Sequence, residues 1–421
     1  MAKVYPVMIQ ANGGEAAKHY SPEFQSAPEY ASGWKAVLIK ARQGGTVKCA
    51  CPGTGKRQLS IRHFDTDTFF LARYPFTGWE HANDCRFYAP NPDRSGLSGY
   101  QKGVVEEGPN GVVRIRLEVG LKKQKASETN SNPALPSPSR GQGRNSQPAM
   151  RLLGLLHFLW DEADLNCWWP AMQGKRDFGL VNWELEKAAS QIIAGKIRLD
   201  SVLLLADQNP KGRWACRNQE RVRTAVASGT RMIAILPLAQ YTPERMTEME
   251  TSLKVSGFNG VPLLDMPRGL WQRTRQRFPR TIAAWEKQQR VMAIVELDLK
   301  KDGKYAKVVD LALMPVSANW IPFDSLYELK VADKLTAEGR GFIKPLRFDA
   351  DEDVVFPDFI LRDTGDDTPL EVFGRSDEAY EACREAKTAY YEATFGIGNW
   401  WCWNAAADPG GLHIQPFPPT S

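Results

Sequence analysis

Apolar residues three and four apart run through "RLLGLLHFLWDEADL" (151–165) and "VNWELEKAASQIIAG" (181–195), and this spacing predicts helices. Shorter apolar runs read as strands: "WKAVLIKA" (34–41), "GVVRIRLEVGL" (111–121) with its period of two, and "TRMIAILPL" (230–238). "RVMAIVELDL" and "KYAKVVDLALMPV" flank "KKDGK", which predicts a hairpin turning at Asp302-Gly303. From about residue 322 the order becomes helix, strand, strand, strand, helix, strand: "FDSLYELKVADKL", "GFIKPLRF", "VVFPDFIL", "PLEVFG", "SDEAYEACREAKTAYYEA" and "NWWCWNA".

Between these patterns, 122–150 is rich in Ser, Pro, Gly and Asn and cannot bury enough surface to fold, so it is expected to be a disordered linker. The expected organisation is therefore α/β and multidomain. It comprises a β-rich domain over 1–121, a mixed α/β domain over 151–320, for which a winged-helix arrangement is one option, and a C-terminal α/β domain over 321–421.

Two positions break the apolar pattern of the last segment. Asp358 and Glu371 sit inside strand-like runs, where a buried carboxylate costs several kcal/mol unless a charge or donor meets it. Alternation lets both project from one face of neighbouring antiparallel strands joined by "RDTGDDT". Glu328 lies on the apolar stripe of the preceding helix, and Tyr380, Arg384, Lys387 and Tyr391 recur at helical steps on the following one. Acidic oxygens with room for water and phosphate suit Mg²⁺ or Mn²⁺. Glu328, Asp358 and Glu371 are thus expected to hold the ion, Lys387 to serve the attacking water, and Arg384 or Tyr380 to steady a phosphate. A structural alternative pairs Glu371 with Arg384 and leaves the tyrosines in the core.

The chain's seven cysteines change the picture at the other end. Cys49, Cys51, His81 and Cys85 form a Cys₃His set suited to a structural Zn²⁺, with His63 as a substitute ligand. Cys167, Cys216, Cys383 and Cys402 read as lone core thiols. "PGTGKR" fails as a phosphate loop, because the required spacing is not met and Arg57 stands where a magnesium-binding hydroxyl belongs.

A net charge of +5 permits a polyanionic partner without requiring one. The best contact for nucleic acid, DNA before RNA, is "PRGLWQRTRQRFPR" (267–280). Here Arg268, Arg273, Arg275, Arg277 and Arg280 would meet phosphates while Trp271 stacks on a base. Arg217 and Arg221, one helical turn apart, add a second basic face. No signal peptide or membrane-length apolar run is read, so a cytoplasmic protein is expected.

"PDF", "LEVFG" and "Y…R..K..YY" together resemble the PD-(D/E)xK nuclease superfamily over the last quarter of the chain, in the variant whose lysine has moved to the next helix. The resemblance implies a restriction-endonuclease-like fold and maps its acids onto Asp358, Glu371 and Glu328 and its lysine onto Lys387. The usual lysine position holds Phe373. The N-terminal cysteines with "ARYPFTGWEHANDCRFY" resemble an uncharacterised bacterial family of integrating and conjugative elements, which implies other mobile-element proteins as partners. The expected function is metal-dependent phosphodiester hydrolysis. The alternative is a catalytically inactive, zinc-containing nucleic-acid-binding or scaffold protein, or one that recruits partners through "NWWCWN".

Overall fold

The computed structural model of the chain describes residues 2–12, 16–64, 68–92, 96, 103–108, 112–122, 149–257, 259–348 and 356–421. Most of the linker expected at 122–150 lies outside them. Four sheets organise the described residues into a mixed α/β molecule.

The first sheet is antiparallel, in the order β2-β1-β3-β4-β5, from Val7–Gln10 (β1), Lys18–Tyr20 (β2), Thr46–Cys49 (β3), Gln58–Phe64 (β4) and Thr68–Arg73 (β5). The run "WKAVLIKA", expected to be a strand, is instead helical over Ala31–Arg42. Trp34, Val37, Leu38 and Ala41 are spaced three, four and seven apart, and that single apolar face packs on the sheet, burying Leu38 and Ala41 completely or nearly so.

Val105–Glu107 (β6) and Val113–Ile115 (β7) join Ile192–Ala194 (β9) and Ile197–Arg198 (β10) in a second sheet. The third, in the order β11-β12-β14-β15-β13, combines Leu203–Leu205 (β11), Met232–Pro237 (β12), Leu263–Asp265 (β13), Arg290–Leu299 (β14) and Tyr305–Val316 (β15). Its strands are buried on both faces: Ile233, Ile235, Met292 and Ile294 enter one core, while Met232, Ala234, Leu236, Val291 and Val295 enter another. This two-faced sheet replaces the winged-helix option. The expected hairpin is present, with Gly303 at φ +67° in its turn.

The fourth sheet carries the acids. Its order is β19-β18-β17-β16-β8, from Cys167–Trp168 (β8), Phe342–Ile343 (β16), Phe359–Leu361 (β17), Thr368–Phe373 (β18) and Trp401–Asn404 (β19). β16, β17 and β18 run antiparallel and β19 lies parallel to β18. The helices Leu326–Ala337 and Glu378–Phe395 complete the expected order of helix, three strands, helix and strand. Trp401 and Trp403 of the "NWWCWN" segment are buried in this sheet's core, and Trp400 stacks on Tyr391. Among the described residues no helix is long and apolar enough to cross a membrane.

Candidate functional site

The acids of the C-terminal sheet open onto a cleft of about 400 Å³ lined by, among others, Glu328, Asp358, Glu371, Tyr380 and Lys387. The register Phe359↔Leu370 places Asp358 beside Glu371, and the Asp358 amide donates to Leu370 O at 3.0 Å. One carboxylate oxygen of Asp358 accepts from the Val372 amide at 2.8 Å, which fixes the side chain against the neighbouring strand. Glu371 is held from the following helix: Lys387 Nζ stands 2.5 Å from Oε1, and Tyr391 donates to Oε2 at 2.9 Å. Lys387 and Tyr391 meet it together because residues four apart share a helix face.

Arg384 is not brought to the cleft. It lies about 60° around the helix from Lys387 and acts electrostatically on Cys402 of β19 instead. Glu328 reaches the cleft but is engaged, with Lys344 Nζ at 2.9 Å and the Asp324 amide donating at 3.0 Å. Ser325 caps this helix by accepting from the Glu328 amide at 3.1 Å, so cap and carboxylate are built at one turn.

Lys344, Asp324 and Arg347 were not read from the sequence. Lys344 is fully buried against Glu328 and Asp324, and Arg347 Nε meets Asp324 at 3.0 Å. The available signal was a lysine inside the apolar run "GFIKPLRF", the same anomaly that exposed Asp358.

Burial, then the charge of Glu371, pushes the Asp358 carboxyl up to about 6. Burial and the nearby acids push Glu328 up to about 7 against the pull of Lys344. Burial opposes the charge of Lys387, but Glu371 and Asp358 outweigh it and raise its pKa, so the ammonium keeps its proton.

The second constellation is closed. Cys49, Cys51, His81 and Cys85 are all buried, with ligand atoms within 4.8 Å of one another. Cys49 and Cys85 sulfurs are 3.8 Å apart, and His81 Nδ1 lies 3.5 Å from Cys51 Sγ and 3.7 Å from Cys85 Sγ. Zn–S near 2.3 Å and Zn–N near 2.0–2.1 Å imply tetrahedron edges of about 3.8 Å and about 3.6 Å. The donor set therefore fits a metal such as zinc, and four such ligands would fill a tetrahedral site. His63 is not part of it; that ring stacks on Phe69.

The loop between Cys51 and Arg57 passes so close to His81 that a Cβ on Gly53 would lie 2.1 Å from Glu80 O. Gly53→Ala is therefore expected to splay the loop and lower zinc content below one per chain. Metal analysis of the purified variant checks this, and a full zinc complement would contradict it.

Of the remaining thiols, Cys167 is a buried core residue as expected, whereas Cys216 is exposed, Cys383 lines the carboxylate cleft and Cys402 is half-buried. Trp271 is buried edge-to-face against Trp285 and cannot stack on a base. Helical spacing of Leu270, Trp271 and Thr274 turns it inward, while Arg268, Arg273, Arg275, Arg277 and Arg280 remain exposed. Arg217 and Arg221 do not form a free basic face, because both clamp the buried Glu186, at 2.7 and 2.5 Å. Arg280, three residues past Arg277, lines the carboxylate cleft together with Arg347 and Arg375.

Residues 20–406 match the family described as Protein of unknown function (DUF1173), and the chain belongs to that family. No curated protein and no solved structure matches it.

Proposed function

We propose that this member of the DUF1173 family is a metal-dependent nuclease acting on DNA, with Asp358 and Glu371 as the Mg²⁺ or Mn²⁺ ligands. The observation that carries the reading is the pairing of two buried carboxylates on adjacent strands with a lysine 2.5 Å away, in a cleft rimmed by Arg280, Arg347 and Arg375. The upward displacement of Asp358 reports like charges crowded out of water, a deficit that a divalent cation relieves. When bound, the cation would act as a Lewis acid on a phosphodiester and lower the pKa of a bound water.

The residues themselves divide the remaining work. Lys387 stays protonated, so it orients the water or neutralises charge on the transferring phosphate and does not remove a proton. Glu328, tied to Lys344, lines the same cleft and is the third acid available to the ion. Arg280 brings the basic segment 267–280 to the reacting centre, where guanidinium and phosphate pair bidentately. The helix, three strands, helix and strand order supports a PD-(D/E)xK-like core with migrated lysine. A setting on bacterial mobile elements rests on the resemblance of the N-terminal cysteine segment.

The test is cleavage of end-labelled single- and double-stranded DNA by zinc-loaded protein with Mg²⁺ or Mn²⁺. Lys387→Ala should lose about 10²–10³-fold in rate while still binding DNA. Wild-type protein that binds DNA and never cuts it would favour the inactive scaffold.

A further inference from the structure

Arg362 follows β17 directly and opens the loop that joins Asp358's strand to Glu371's. Its guanidinium is buried, yet among the described residues it has no carboxylate within ion-pairing distance. Its partners are carbonyls of the zinc segment: Nε donates to Asn83 O at 2.7 Å, and Nη2 to Cys85 O at 2.8 Å and also to Asn83 O. Cys85 belongs to the Cys₃His set that could hold zinc, and Asn83 lies between it and His81. The same loop makes two further contacts: Asn83 Nδ2 donates to Gly365 O, and Tyr88 donates to the Asp367 carboxylate. The guanidinium is sandwiched by Tyr88 and Trp169, at 4.6 and 4.9 Å from the ring centroids.

A buried cation is tolerable only while acceptors meet it. A zinc held by the Cys₃His set would fix the carbonyls that meet Arg362, since His81 and Cys85 bracket them. If the tetrahedron opens, Arg362 loses its acceptors and must move toward water. Its backbone is continuous with β17, so the strand carrying Asp358 moves with it.

We propose that Arg362 is a positioning residue through which zinc at the N-terminal site sets the separation of Asp358 and Glu371. The zinc site then acts at a distance on the carboxylate cleft, in the way that outer contacts orient metal ligands. The part of this that concerns cation binding rests on the metal reading of the cleft; the mechanical link stands on the contacts alone.

Amide hydrogen exchange of the full chain separates the two. In wild-type protein, removing zinc with a chelator should speed exchange in 359–361 and 368–373. Arg362→Met, which should keep its zinc, should exchange as fast there before chelation, with little further change after it. Its affinity for Mn²⁺, titrated alone, should fall about tenfold or more. Asn83→Ala keeps the carbonyl that Arg362 meets but removes the side-chain donor to Gly365 O in the same loop; it should give a smaller change in the same direction and covers the case in which Arg362→Met does not fold. Unchanged exchange in a folded, zinc-loaded Arg362→Met, or equal acceleration by chelation in variant and wild type, would overturn the proposal. Accelerated exchange in a protein that binds no Mn²⁺ would leave the link standing and remove the nuclease reading.

Discussion

Cys85→Ser is expected to empty the zinc site and unfold the segment around it. Structural zinc contributes about 10–16 kcal/mol of apparent binding energy in small zinc modules, far more than the roughly 2–5 kcal/mol lost on truncating one core side chain. Part of that is recovered here because β3, β4 and the helix Ala31–Arg42 bury a core of their own. The effect should still exceed that of any core truncation. Cys85 also anchors the chain's start: Lys3 N donates to Asp84 O at 2.6 Å, and Arg86 N to Lys3 O at 3.1 Å. Zinc analysis with near- and far-ultraviolet circular dichroism checks the expectation. Less than stoichiometric zinc in wild type, or an unaltered spectrum in the zinc-free variant, would contradict it.

Asp358→Asn is expected to do the opposite to stability while removing function. The folded chain holds the Asp358 proton with a pKa near 6 against an ordinary 3.8, first through burial and then through Glu371. A folded-state value above the unfolded one means that ionisation destabilises the fold. The cost is absent below about pH 4, grows between about pH 4 and 6, and is complete above that. At about 1.4 kcal/mol per tenfold change in proton affinity, it is on the order of 3 kcal/mol at neutral pH. The asparagine keeps an oxygen for the Val372 amide and carries no charge. Wild type should therefore gain stability as pH falls from 6 to 4, whereas the variant should gain less. Such a penalty is characteristic of sites where function is placed above stability.

Much of the C-terminal architecture could be read in advance because its anomalies were electrostatic. Asp358 and Glu371 stand out in apolar strands whatever the fold, and the i, i+4 spacing of Lys387 and Tyr391 already put both on one face. Lys344 was hidden because "GFIKPLRF" reads as a single strand. Its burial depends on Asp324 and Glu328, neither of which is its neighbour in sequence. Trp271 was misplaced because five nearby arginines dominate its segment, although its spacing to Leu270 and Thr274 already defined a buried face. "WKAVLIKA" fits a strand by composition and a helix by period, and the period wins because the neighbouring sheet needs a cover. Sheet membership was the least legible feature: β7 pairs with β9, beyond residue 190, and Cys167–Trp168 edges the C-terminal sheet. Such long-range pairings leave no local trace.

Thermal unfolding of zinc-loaded wild type and Asp358→Asn at pH 7.5, each with and without Mn²⁺, tests the crowded carboxylate pair most directly. The account requires the variant to melt higher than wild type without the ion, and Mn²⁺ to raise the midpoint of wild type alone. A variant that melts lower, with Mn²⁺ shifting neither protein, would contradict it.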